Sequence, residues 1–190
     1  MRFLKFSAVV CAGALSVGAV PAQADEFTDV VNEALLAYEE GDIEGAKEEL
    51  DYAVTLLADM KSETLREFLP EAMDGWTRTE GDTDGAGMGM AMFGGGNVVA
   101  AEYTGSGENL TITLVANSPM VSSLGAMITG MASMGGGKPI RIQRVTFAQN
   151  DEELQGIVDD RVLVTVAGNA SLETKKAYLE AMDLRGLRDF

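Results

Sequence analysis

The most distinctive chemistry in this chain of 190 residues belongs to its thioethers. Met88, Met90 and Met92 alternate in Gly-Met-Gly-Met-Ala-Met-Phe, which ends on Phe93 and runs into Gly94-Gly95-Gly96. Met120, Met127, Met131 and Met134 follow in a stretch opened by Ser118-Pro119 and closed by Gly135-Gly136-Gly137. No charged residue occurs from Leu110 to Gly137. Methionine sulfur is polarizable and sits on an unbranched chain, so it can fill a core, remould against a partner, or ligate monovalent copper. A site built from Met88, Met90 and Met92 would be thioether-only. The chain has no histidine, and its one cysteine, Cys11, lies near the start.

The same absences remove other chemistry. Without histidine there is no serine–histidine catalysis and no imidazole zinc site. The run Glu80-Gly81-Asp82-Thr83-Asp84-Gly85 starts like a calcium loop, but the closing position counted from Asp82 is Phe93, not a glutamate. The two glycine triplets lack the strand–glycine–helix context of a phosphate cradle. Lys138, Arg141 and Arg144 suggest a small basic strip on one strand, placed to pair with acidic residues nearer the N-terminus. No nucleophile–base pair and no carboxylate pair stands out, so a non-enzymatic protein is expected.

Charge and hydropathy divide the chain. Arg2 and Lys5 precede an apolar run from Phe6 to Val20, and Ala22-Gln23-Ala24 supplies the small–x–small pattern of a cleavage site. Residues 1–24 therefore read as a signal peptide cut before Asp25, and the expected compartment is a bacterial periplasm. The run is too short for a membrane span. Cleavage would also remove Cys11 and with it any disulfide chemistry. The formal charge of −16 excludes a basic nucleic-acid-binding surface. The acidity is local. From Asp25 to Asp84 there are 19 acidic and 4 basic residues, whereas 85–137 holds only Glu102 and Glu108.

The elements that must position these residues follow from periodicity. Phe27, Val30, Val31, Ala34, Leu35 and Tyr38 recur at three and four residues, as do Ile43, Ala46, Leu50, Ala53, Val54 and Leu57 beyond Gly41-Asp42. This predicts a hairpin of two acidic helices. The stretch Ala37-Tyr38-Glu39-Glu40-Gly41-Asp42-Ile43, with Ala46, Leu50 and Ala53, resembles one tetratricopeptide repeat over about 34–57. The resemblance implies an αα-hairpin in which small residues allow close helix approach and the glycine–aspartate pair makes the turn. A solenoid needs about three repeats, so the family's peptide groove is not implied.

Strands are predicted at 76–80, 97–104, 109–116, 139–148, 152–158 and 161–167. Leu110-Thr111-Ile112-Thr113-Leu114 alternates strictly, and Val162, Val164 and Val166 share one face. Gly105-Ser106-Gly107 and Asp159-Asp160 read as hairpin turns. Proline 119 and the glycines at 135–137 bracket an apolar helix with Met127, Met131 and Met134 on one face. Ser171 caps a final helix whose apolar face is Leu172, Tyr178, Leu179 and Met182. The expected class is α+β: an N-terminal antiparallel helical hairpin plus an antiparallel sheet sandwiched by helices. From Leu69 to Leu187 the layout is similar to the PsbP-like fold, on Leu69-Pro70, Gly75-Trp76, Glu102-Tyr103, Ser118-Pro119 and the closing helix. That resemblance implies architecture and not activity.

The organisation expected is a leader at 1–24, an acidic helical hairpin at 25–68, and an α+β domain at 69–190 with a Met/Gly-rich loop at 85–96. The functional expectation is an exported binding or accessory protein. Its apolar surface, comprising Met88, Met90, Met92, Phe93, Met127, Met131 and Met134, would engage a hydrophobic protein segment or a lipid. One alternative is a Cu(I) carrier using Met88, Met90 and Met92. Another makes the methionine tract structural and the acidic hairpin the interaction face.

Overall fold

A computed structural model of the chain describes residues 22–81, 96–119, 121, 139–150 and 153–190. The fold is α+β, with two N-terminal helices, a seven-stranded antiparallel sheet and a C-terminal helix. The chain divides into two compact units, the first ending at Leu50 and the second spanning Asp51–Phe190.

Helix α1, Ala22–Glu40, leads into α2, Ile43–Arg66, through Gly41 and Asp42. Gly41 takes a φ of +84°, a left-handed conformation that suits glycine. Its N–H donates to Tyr38 O, and the Asp42 N–H donates to Ala37 O, the paired bonds that close a helix C-terminus. Asp42 then starts α2, its Oδ1 accepting from Gly45 N at 3.0 Å. Among the described residues of the first unit, the buried apolar ones are Val30, Ala34 and Ala46.

The second unit is built on strands β1 (Trp76–Glu80), β2 (Asn97–Gly105), β3 (Glu108–Ala116), β4 (Ile140–Ile142), β5 (Val145–Asn150), β6 (Glu153–Val158) and β7 (Val162–Ala167). Their order is β1-β2-β3-β7-β6-β5-β4. Two meanders thus meet where β3 pairs with β7, from Thr111 opposite Ala167 to Ala116 opposite Val162. Alternation sends Val99, Ala101, Tyr103, Leu110, Ile112, Leu114, Val162, Val164 and Val166 to one face. Leu65 and Leu69, with Tyr178, Leu179 and Met182 from the last helix, join them in a single core. A smaller cluster of Val115, Val121, Ala148 and Leu163 lies on the other face.

Asn97 is buried within this framework. Its amide nitrogen donates to Ala58 O at 2.7 Å and Ser62 Oγ at 3.0 Å on α2, and its oxygen accepts from Asn117. The last helix, α3 (Leu172–Ala181), begins as predicted on Ser171, whose Oγ accepts from Thr174 N.

One strand prediction is corrected. Residues 139–148 form two strands, β4 and β5, because Gln143 and Arg144 turn the chain with φ of 47° and 72°. Left-handed backbone at two non-glycine residues is unfavourable. Here the Gln143 side chain offsets it by donating to the carbonyls of Leu179, Glu180 and Met182 at the end of α3, the shortest bond being 2.7 Å. The same turn takes Arg144 out of the strand, so the expected Lys138, Arg141 and Arg144 strip does not lie on one strand. Lys138 falls outside the described residues.

Gln143→Ala should lower stability by about 1–2 kcal/mol, since it orphans the end of α3. Chemical denaturation would measure it. Gly156 lies under Phe147, where an added Cβ would come within 2.7 Å of two ring carbons. Gly156→Ala should therefore cost about 1–3 kcal/mol by overpacking.

Candidate interaction surface

Met88, Met90, Met92, Phe93, Met127, Met131 and Met134 lie outside the described residues, as does the 85–96 loop apart from Gly96. The expected leader lies outside them as well, except that α1 begins at Ala22. Among the described residues, no group of three or more acidic, histidine or cysteine side chains is arranged to hold a metal ion. No helix among them is long and apolar enough to cross a membrane.

In the second unit the segment between α2 and β1 carries the densest polar chemistry. Arg78 on β1 is mostly buried and pairs with Glu80 at 2.7 Å and Glu71 at 3.6 Å. It also donates to Leu69 O at 3.3 Å. Arg66 pairs with Glu63 at 2.9 Å and reaches Glu80 at 3.9 Å. These residues, with Glu67, line an open groove. Both guanidinium groups pair with carboxylates and so tie α2 to the sheet edge, and the groove's four glutamates outnumber its two arginines. Exposed pairs of this kind contribute little individually, and the half-shielded Arg78 contributes more.

Beneath it, Tyr103 is fully buried and its hydroxyl donates to Pro70 O at 2.6 Å. Burial pushes the Tyr103 phenol well above its ordinary range, while the charge of Arg78 works in the opposite direction. Tyr103 packs on Tyr178 with ring centroids 4.6 Å apart, and Trp76 meets Tyr178 edge-on at 5.6 Å. Tyr178 in turn accepts a hydrogen bond from Met73 N. Pro70, Trp76 and Tyr103, which stood out separately in the sequence, are thus brought together around one aromatic cluster.

A second concavity, about 110 Å³, is lined by Gln149, Asn150, Glu153, Asn169 and Lys175. Lys175 is buried, and its Nζ donates to Gly168 O at 2.7 Å. That bond holds the loop leading into α3.

The helices present a different surface. Sequence periodicity groups large and small apolar residues together on each helix, but the structure leaves many of the larger ones in solvent. Val30, Ala34, Ala46, Ala53, Leu56 and Leu65 are buried, whereas Leu35, Leu36, Tyr38, Ile43, Leu50, Tyr52, Val54 and Leu57 are exposed. In the first unit Ile43 (61% exposed) and Leu50 (51%) stand in solvent with the exposed acids Glu44 and Glu48 near them in sequence, and in the second unit Val54 (64%) and Leu57 are exposed.

Tyr103→Phe should be informative about the buried cluster. Below about pH 10, the ordinary phenol value, Tyr103 is neutral in both folded and unfolded chains. Above it the unfolded chain ionises first, so the stability from this residue is lost as pH rises. The variant should be about 1 kcal/mol less stable at neutral pH and should show a flatter alkaline decline, measured by denaturation from pH 7 to 11.

No protein-family model, no curated protein and no solved structure matches this chain.

Proposed function

We propose that this protein acts outside the cytoplasm as a non-enzymatic binding or accessory protein, and that its acidic helical hairpin is the interaction face. The observation carrying this reading is the set of large apolar side chains exposed in the first unit, Leu35, Leu36, Tyr38, Ile43 and Leu50. A contiguous exposed apolar surface on a soluble protein usually marks a place where something binds. Export is supported by Arg2 and Lys5, the apolar run that follows, and Ala22-Gln23-Ala24.

The methionine tract is the rival interaction face, and one experiment separates the two. A photo-crosslinking residue is placed singly at Leu50, at Met90 or at Thr104, which is exposed on β2. The full chain is then irradiated in its native cells. A discrete adduct at Leu50 and none at Thr104 is expected. Adducts at Met90 alone would transfer the interaction face to the methionine tract, and no adduct at any position would overturn the binding reading.

A further inference from the structure

We infer that the outer edge of β1 is a second interaction surface, which takes up an extended segment of another protein bearing lysine or arginine on alternate residues. This edge lies wholly within the second unit and is independent of the hairpin. β1 ends the sheet, and among the described residues no strand pairs with its outer side. The Gly81 N–H donates inward to Ala100 O at 2.9 Å. Residues of an antiparallel strand bond alternately to one side and the other. In the unbroken register of β1 on β2, Thr77 and Thr79 therefore bond inward with Thr104 and Glu102. The backbone N–H and C=O groups of Arg78 and Glu80 point the other way, off the edge of the sheet.

The usual devices that blunt such an edge are missing. β1 contains neither proline nor lysine and its register shows no bulge. Its one cation, Arg78, is folded back to donate to Leu69 O at 3.3 Å and so does not guard the edge. The opposite edge is shorter, three residues in β4 against five in β1.

The groove beside β1 selects the side chains of the added strand. Residues of that strand that bond to Arg78 and Glu80 lie opposite them and project from the same face. That face carries the groove of Glu63, Arg66, Glu67, Glu71, Arg78 and Glu80. Its acids are in excess, and Glu63, Glu71 and Glu80 keep more than half of their side-chain surface in solvent. Main-chain bonds would supply the affinity, and a cation opposite Glu80 the discrimination. A second copy could set Arg78 opposite Glu80, but these two already pair within their own chain at 2.7 Å. It would also lay two acidic grooves side by side, which like-charge repulsion opposes.

The test uses the full chain and short labelled peptides that alternate lysine with threonine, followed by fluorescence anisotropy. Saturable binding is expected, with none by the counterpart that alternates glutamate with threonine. N-methylating the lysine residues blocks the backbone edge that places lysine over the groove, and should weaken binding by about tenfold or more. N-methylating the threonines leaves that edge free, keeps the charge identical and should change affinity by less than about twofold. Glu80→Gln should weaken binding about two- to fivefold with an unchanged circular dichroism spectrum.

Equal binding of the two methylated peptides would overturn the inference, because charge attraction without strand addition would then suffice. Equal binding of the lysine and glutamate peptides would overturn the basic partner, and failure of the unmodified lysine peptide to bind would overturn the surface itself. A photo-crosslinker at Thr79 that joined the edge to residues 82–95 of the same chain, or to a second copy, would give the edge to that occupant instead. None of these outcomes bears on the hairpin, which crosslinking at Leu50 decides separately.

Discussion

The β3–β7 pairing is the contact on which the second unit depends. It joins residues 111–116 to 162–167, about fifty positions apart in sequence, and it is the seam between two meanders whose other pairings are local. Closing so long a loop is costly in chain entropy, and the return comes from apolar burial on both sides of the seam. Ile112, Leu114, Val164 and Val166 enter the main core, while Val115 and Leu163 enter the smaller cluster on the opposite face. Threonines at 111, 113 and 165 occupy half-buried positions along it, where β-branching favours the extended chain.

Around this seam the protein separates its charge from its apolar middle. The sheet is bound by aliphatic and aromatic packing, and the Tyr103 and Tyr178 hydroxyls are satisfied by backbone groups, Pro70 O and Met73 N–H. The acids are concentrated on the helices.

Much of the fold was legible in the sequence because its signals are local. Strict alternation marked β3 and β7, Gly41-Asp42 marked the helical turn, and Ser171 marked the start of α3. The β4–β5 turn was not legible. Ile142-Gln143-Arg144-Val145 contains no glycine or asparagine, and the turn is held by carbonyls that lie 36 to 39 residues downstream. The Arg78–Tyr103 arrangement was hidden for a similar reason, since its partners Leu69 and Pro70 are carbonyl oxygens without a side-chain signature. On the helices, periodicity identified which residues are apolar, but it does not distinguish a face turned inward from one left in solvent. Size does not supply the distinction either, since Leu56 and Leu65 are buried while Leu50 and Leu57 are exposed. The methionine positions singled out by their chemistry belong to residues beyond those the structure describes.

Asn97 carries a consequence for how β2 finds its place. Sliding β2 past β3 by one residue would turn Val99, Ala101 and Tyr103 away from the core, so hydrophobic alternation alone forbids every odd shift. A shift of two preserves the apolar face and escapes that filter. It would nonetheless carry the Asn97 amide roughly 7 Å from its seat and strip Ala58 O and Ser62 Oγ of their donor. One buried amide thereby forbids the even errors that greasy side chains tolerate, and the strand is left with a single admissible alignment.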